Sequence, residues 1–125
     1  MRLVGKIDRE KFKAVSEHIT TDEVVITDER IAHIEQRHPG AYERFSPYIQ
    51  EILSAYDIML EDKHPHTALL IKKLEKDGAQ IELVLRLHTL RDETGYKNSV
   101  LSLWEISDRR LGKYLRNRRI LDSRL

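Results

Sequence analysis

The first half of the chain carries apolar residues at the spacing of helices. Between residues 27 and 40, Ile31 and Ile34 share one face, Thr27 is placed to cap a helix, and Pro39-Gly40 ends it. Another helix is predicted over 8–17. A third is predicted from Ser46-Pro47 onward, because proline is favoured at the first helical position. Short strands are predicted at 1–7 and 24–26.

From residue 57 the apolar spacing changes to alternation, which is typical of strands. Strands are predicted at 58–60, 67–74, 81–89 and 97–106, with a hairpin turn at Asp77-Gly78. The third of these places one set of residues on one face (Ile81, Leu83, Leu85 and Leu87) and another set on the other (Glu82, Val84, Arg86 and His88). Ser107-Asp108 then begins a last helix, which runs to about residue 118.

This order of elements predicts an α+β fold in a single domain, residues 1–125. N-terminal helices would pack on a four-stranded antiparallel β-meander, followed by a C-terminal basic helix. The second face of the sheet is expected to stay open, as antiparallel sheets permit. The length of 125 residues suits one hydrophobic core and is too short for two.

Composition narrows the class of protein only slightly. The chain is 40% hydrophobic and 34% charged, which indicates a globular protein, and its formal net charge of +1 says little about partners. The absence of cysteine excludes disulfides, thiolate chemistry and cysteine-based zinc sites. No apolar run is long enough for a membrane span and no signal core opens the chain, so we expect a cytoplasmic protein with no membrane partner.

The charge is concentrated in the last predicted helix. Residues 109–119 read RRLGKYLRNRR, with six cations, no anion and the aromatic residue Tyr114. Leu111 and Leu115 would supply its packing stripe, so most cations project outward and suit a polyanion backbone. An ordinary solvated helix is the alternative. The residues predicted to bind nucleic acid are Arg30, Lys113, Arg116 and Arg119.

A second group of residues suits acid–base chemistry at a phosphate. His33 and Arg37 lie four apart on the flank of one helix, and His38 follows directly before the proline. Histidine can transfer a proton near neutral pH, and arginine offers a fork that matches phosphate oxygens. A helix end with favourable dipole interactions is the alternative explanation.

The predicted open sheet face adds further polar side chains. Arg86 is a cation for phosphate or a member of a cross-strand ion pair with Glu82 or Glu105. Ser102 is a phosphate-binding hydroxyl or a filler between strands. Trp104 is a core residue or a base-stacking platform.

Other catalytic schemes fit poorly. The five glycines are scattered and form no phosphate-binding loop, and no HExxH helix is present. His64-Pro65-His66 is better explained as a solvated turn than as a metal site. No metal and no cofactor are therefore expected, and the predicted catalytic residues are His33, Arg37, His38, Arg86 and Ser102, with Glu82 as a second acid or base.

Several segments together resemble a known family. ITDERIAHIEQRHP, SPYIQEIL, TALLIKKLEKDGAQIELVLRL and GYKNSVLSLWEISDRRLGKYLRNRRIL are similar to the phage and mobile-element branch of the barnase–EndoU–colicin–RelE-like nucleases. The resemblance covers about residues 24–121. It implies helices packed on a four-stranded antiparallel sheet and a metal-independent ribonuclease or toxin-like activity.

The same resemblance assigns site residues. The helix pair of the family corresponds to His33 and Arg37, with His38 adjoining, the basic strand position corresponds to Arg86, and the hydroxyl corresponds to Ser102. Serine stands at that last position, where threonine is commoner in the family, so the role of this residue is the least defined.

The sequence therefore predicts a metal-independent endoribonuclease, toxin-like or phage-associated, that cleaves RNA by acid–base chemistry. Its expected partners are RNA and an antitoxin or immunity protein. Two alternatives stay open at this point: a non-catalytic nucleic-acid-binding module on the same fold, and a protein-interaction domain.

Overall fold

A mixed seven-stranded sheet organises the protein in the computed structural model, which describes residues 1–125. The strands, in chain order, are β1 (Arg2–Lys6), β2 (Glu23–Ile26), β3 (Ile58–Glu61), β4 (Thr67–Lys73), β5 (Gln80–Arg86), β6 (Asn98–Glu105) and β7 (Ile120–Ser123). The helices are α1 (Asp28–Arg37), α2 (Ala41–Phe45), α3 (Ile49–Ala55) and α4 (Asp108–Asn117). The strand order is β1-β2-β6-β5-β4-β3-β7, and only the β2–β6 pair is parallel.

The predicted four-stranded antiparallel meander is wrong. Strands β3 to β6 do pair antiparallel in sequence order, but β2 and β1 extend the sheet beyond β6, and β7 extends it beyond β3. These three added strands have only four or five residues, and β2 and β7 pair with strands far away in the chain. Periodicity along the chain cannot reveal such pairing, because it depends on which distant strand offers a free edge.

The predicted helix over 8–17 is also wrong. A single 3-10 turn forms at Arg9–Phe12, where the Asp8 side chain accepts a hydrogen bond from the Glu10 amide at 3.0 Å. Phe12 is its only buried residue. Val15, beyond the turn, also packs on the core, but two apolar contacts do not make the continuous stripe that a longer surface helix needs.

The larger core lies between one face of the sheet and helices α1, α2 and α3. The alternation predicted in β5 is confirmed on this face, where Ile81, Leu83, Leu85 and Leu87 are completely buried. Ile34 of α1, Phe45 of α2 and Ile52 of α3 pack against the same cluster.

Helix α4 covers part of the other face, so that face is not open as predicted. Leu111 and Tyr114 pack on a second apolar cluster contributed by β3 and β4 (Ile58, Leu60, Leu69 and Ile71). The sheet is thus covered on both sides, α1 to α3 on one face and α4 on the other. No helix is of a length and apolarity that would let it cross a membrane.

Strand β6 has a bulge and a partly unpaired edge, and both features shape the site described next. The register passes from Leu85 opposite Val100 to Val84 opposite Ser102, which leaves Leu101 unpaired with β5. On its other side, β6 pairs with β2 only at Asn98 and Ser99. Helix α1 contacts β6 beyond this short pairing.

Candidate functional site

His38 and Trp104 form a parallel stack where the end of α1 meets β6. Their ring centroids are 4.2 Å apart and their planes differ by 8°. Thr27 caps the start of α1, and His38 is the residue at which the helix ends, with an extended φ of −137°. Because Pro39 follows, the chain turns away there, and the imidazole lies against the indole instead of along the helix.

Two other side chains hold the indole of Trp104. Its Nε1 donates a hydrogen bond of 2.6 Å to Oε2 of Glu82, the residue directly opposite in β5. The guanidinium carbon of Arg110 lies over the indole at 4.7 Å from the ring centroid, within the range of a cation–π contact. The Arg110 Nε also donates to the hydroxyl of Tyr114 at 2.9 Å. Residues of α1, β5, β6 and α4 therefore meet at one indole ring.

Glu82 is buried beneath this cluster and is only partly satisfied. The residue is 3% exposed, and its Oε1 atom has no hydrogen-bond partner. Burial, followed by interaction with the Glu82 carboxylate, raises the pKa of Tyr114, and Arg110 acts in the opposite direction. A negative charge at this depth is unusual, since buried carboxylates are rare without partners.

The pKa of His38 is lowered from its usual value of 6.5. Partial burial against the indole is the largest cause, and the positive charges of Arg37, Arg110 and His33 follow in that order. His38 is therefore neutral at pH 7 and can accept a proton. The two guanidiniums that act on this imidazole, those of Arg37 and Arg110, favour the approach of an anion.

A groove of about 480 Å³ opens beside the stack. Its lining includes Arg37, His38, Trp104, the Pro39-Gly40 turn, Arg44 and Glu105. Arg44 is taken up by ion pairs with Asp77 and with Glu105, whereas Arg37 is exposed and forms no salt bridge. No group of three or more acidic or histidine side chains is arranged to hold a metal ion.

The predicted catalytic residues are only partly brought together. His33, Arg37 and His38 lie together at the end of α1, and Ser102 is two positions before Trp104 on the same face of β6. Arg86 is four residues beyond Glu82 along β5, roughly 13 Å at the usual rise of a strand. Its guanidinium donates to Asp92 Oδ1 at 2.8 Å and also to the carbonyl of Leu87.

Asp92 forms a second polar centre around Arg86 and the loop after β5. Hydrogen bonding from the Thr89 backbone amide lowers the pKa of Asp92, and the charge of Arg86 acts in the same direction. His88 is buried nearby, between the hydroxyl of Thr20 and the carbonyl of Glu93. These contacts hold the loop between β5 and β6 in place. The side chains of Arg86, Asp92 and His88 are thereby already engaged in hydrogen bonds within the protein.

The residues predicted to bind nucleic acid also divide into two sets. Arg30 uses its Nε and Nη2 atoms to donate to the carbonyl of Leu101, at 3.0 and 2.6 Å. Lys113, Arg116 and Arg119 are exposed and form no salt bridge. With the exposed Arg109, they leave a cationic surface along α4 and just beyond its end, where Arg119 lies.

Sequence reasoning missed Arg110 and Tyr114 as parts of the site. One signal was available, because residues four apart in a helix share a face and Tyr114 is the aromatic residue of α4. Arg110 thus had to lie on the same face as Tyr114, toward the sheet. The neighbour that both would meet, Trp104 with Glu82, required the strand register, which periodicity does not provide.

Comparison with known proteins gives no relative: no family model, no curated protein and no solved structure matches the chain. A function can therefore be inferred only from the side chains of the site.

Proposed function

We propose that the protein is a metal-independent ribonuclease whose centre is His38. The observation that carries the proposal is the His38 imidazole, stacked on Trp104 at an open groove that Arg37 also lines, with Arg110 over the same indole. Cleavage of RNA needs a base at the ribose 2′-hydroxyl, an acid at the leaving oxygen and fixed positive charge around phosphorus. The cluster supplies each of these groups.

In the proposed reaction, His38 takes the proton of the 2′-hydroxyl as that oxygen attacks phosphorus. The bond from phosphorus to the 5′-oxygen breaks, and His33 donates a proton to the leaving oxygen. Arg37 and Arg110 stabilise the additional negative charge of the transition state, since guanidiniums stay charged and match phosphate oxygens. In this proposal Ser102, two positions before Trp104 on the same face of β6, donates a hydrogen bond to a phosphate oxygen. The products are a 2′,3′-cyclic phosphate and a 5′-hydroxyl.

The test is cleavage of single-stranded RNA by purified protein in the presence of EDTA. We expect products that end in 2′,3′-cyclic phosphate, and a loss of on the order of 100-fold or more in the His38→Ala variant. His18→Ala is the matched control, because His18 is exposed and its side chain makes no hydrogen bond. Intact RNA under conditions where the wild-type protein binds it would contradict catalysis.

A second function, RNA binding without cleavage, is favoured by the cations of α4. Arg109, Lys113, Arg116 and Arg119 are exposed and lack anionic partners, which suits contacts with a phosphate backbone. In that case the wild-type protein leaves RNA intact and His38→Ala binds it with unchanged affinity. The antitoxin or immunity protein expected from the resemblance stays a prediction, because no surface feature tests it.

A further inference from the structure

We infer that Glu82 is a positioning residue, which holds Trp104 and Arg110 in the places that orient His38. The effect of Glu82 on the position of the His38 imidazole can be measured on the protein alone, without RNA. Only its consequence for cleavage rests on the function proposed above.

Burial of the Glu82 carboxylate costs folding free energy. Glu82 is 3% exposed and its Oε2 accepts a hydrogen bond from Trp104 Nε1, while Oε1 has no partner. An apolar residue would fit the surroundings better, because the neighbouring cluster of Ile71, Leu69 and Tyr114 is apolar. A half-satisfied buried carboxylate destabilises the fold. The presence of a carboxylate here is accounted for if it acts on the adjoining site.

Tyr114 lies between Glu82 and Arg110. The Tyr114 hydroxyl oxygen accepts from Arg110 Nε, so its own proton is free to be donated toward the Glu82 carboxylate. Arg110 forms no salt bridge with any acidic residue. The bond to the Tyr114 hydroxyl and the contact with the indole hold this guanidinium in place.

The indole of Trp104 sets the position of the His38 ring. A tryptophan ring at a strand end has two torsion angles to fix, and the Nε1 hydrogen bond to Glu82 fixes the direction of the ring plane. The imidazole of His38 then lies parallel to that plane, at 4.2 Å between centroids. Burial in this stack is also the largest cause of the lowered pKa of His38. Loss of the hydrogen bond would release the ring, and the stack with it.

The experiment is an NMR titration of the His38 imidazole, with its signal assigned by its loss in His38→Gln. The wild-type midpoint is expected below 6.5. In Glu82→Leu we expect the midpoint to move back toward 6.5, because the stack loosens and Arg110 loses its support. Glu82→Gln keeps an acceptor for the indole N–H and should keep the wild-type midpoint. Glu61→Leu, an exposed strand residue without side-chain bonds, is the matched control.

A folded Glu82→Leu protein with the wild-type midpoint would overturn the inference. Trp104→Phe gives a second measurement if the leucine variant does not fold, since it removes the N–H donor and leaves Glu82 in place. The same movement toward 6.5 is expected there, and an unchanged midpoint would count equally against the inference.

Cleavage assays separate this inference from the proposed function. If both are correct, Glu82→Leu reduces kcat by on the order of 100-fold while KM changes little, because misplaced groups act mainly on the chemical step. If the wild-type protein does not cleave RNA, the ribonuclease proposal fails. The titration still decides whether Glu82 orients His38.

Discussion

Arg30, which the sequence predicts to bind nucleic acid, is hydrogen-bonded within the fold. Both of its donors converge on the Leu101 carbonyl, which the bulge and the short β2–β6 pairing leave without a strand partner. An unpaired carbonyl at this place would be costly, so the guanidinium stabilises the junction of α1 and β6. We therefore leave Arg30 out of the proposed phosphate-binding set.

Replacing this side chain should weaken the fold. Arg30→Met keeps most of the aliphatic packing but removes two charge-assisted hydrogen bonds, so the free energy of unfolding should fall by about 1.5–3 kcal/mol. Arg37→Met on the same helix is the control, since Arg37 is exposed and unpaired, and should change it by no more than about 0.5 kcal/mol. Urea denaturation measures both. Equal losses in the two variants would contradict the role given to Arg30.

The residues of the site show what sequence spacing can and cannot supply. The positions of His33, Arg37 and His38 on one helix end follow from the helical period and from Pro39. The partners of Arg30 and Trp104 do not follow from it, because they depend on how β6 lies against α1 and β5. Arg86 pairs with Asp92 in the loop after β5, where no periodic pattern indicates a partner. Alternation alone places Glu82 on an open face, whereas the folded protein buries it under α4.

Helix α4 has one apolar face and one cationic face. The sequence predicts the helix, its serine cap and its basic surface, and the structure places the helix at Asp108–Asn117 with Ser107 as cap. The predicted packing pair is Leu111 and Leu115, but Leu115 is 40% exposed and Tyr114 is buried instead. Positions three and four apart both lie near one face, and only the shape of the sheet decides between them.

The cationic face of α4 should determine how RNA binding responds to salt. For the double variant Arg116→Gln with Arg119→Gln, we expect weaker binding and a shallower dependence of log affinity on log salt. The slope should fall by roughly one for each phosphate that the variant no longer neutralises. Titration of a labelled RNA at several salt concentrations measures this slope.

Lys76→Gln, at the exposed hairpin turn, is the control for a change in total charge. Its slope should match that of the wild-type protein, because Lys76 does not belong to the cationic surface. An unchanged slope in the double variant would exclude α4 from the RNA interface.

Across the whole molecule, contacts between the first half and the chain end complete the sheet. Tyr56, which follows α3, hydrogen-bonds to Asp122 in β7, and Arg124 lies over its ring at 4.3 Å. The hairpins among β3, β4, β5 and β6 could be predicted from alternation and turn residues. The sequence also predicts β1 and β2, but it does not predict β7 or the partners of these three outer strands, because those partners depend on which sheet edges are free.

This link between Tyr56 and β7 predicts how the stability of the protein changes at alkaline pH. Burial, then the bond to Asp122, raises the pKa of Tyr56 from 10.0 to about 12. The folded protein thus keeps a proton that the unfolded chain releases above pH 10. The stabilisation is complete below pH 10 and is lost as the pH rises toward 12.

Urea unfolding at a series of alkaline pH values tests this prediction. The wild-type protein should lose stability more steeply between pH 10 and 12 than Tyr56→Phe, which has no proton to release. Tyr42→Phe, at a half-buried position of α2, should follow the wild-type curve. Parallel curves for Tyr56→Phe and the wild-type protein would show that the pKa of Tyr56 does not differ between the folded and unfolded states.

The parallel pairing of β2 with β6 has a consequence for synthesis of the protein. Val24 pairs with Asn98, and the ribosome must add 74 residues between them (98 − 24), which takes roughly 4–15 s at ordinary translation rates. His38 is made early, whereas Trp104 and Arg110 belong to the last quarter of the chain. The cluster therefore cannot assemble until the ribosome has added Arg110, long after His38 was made.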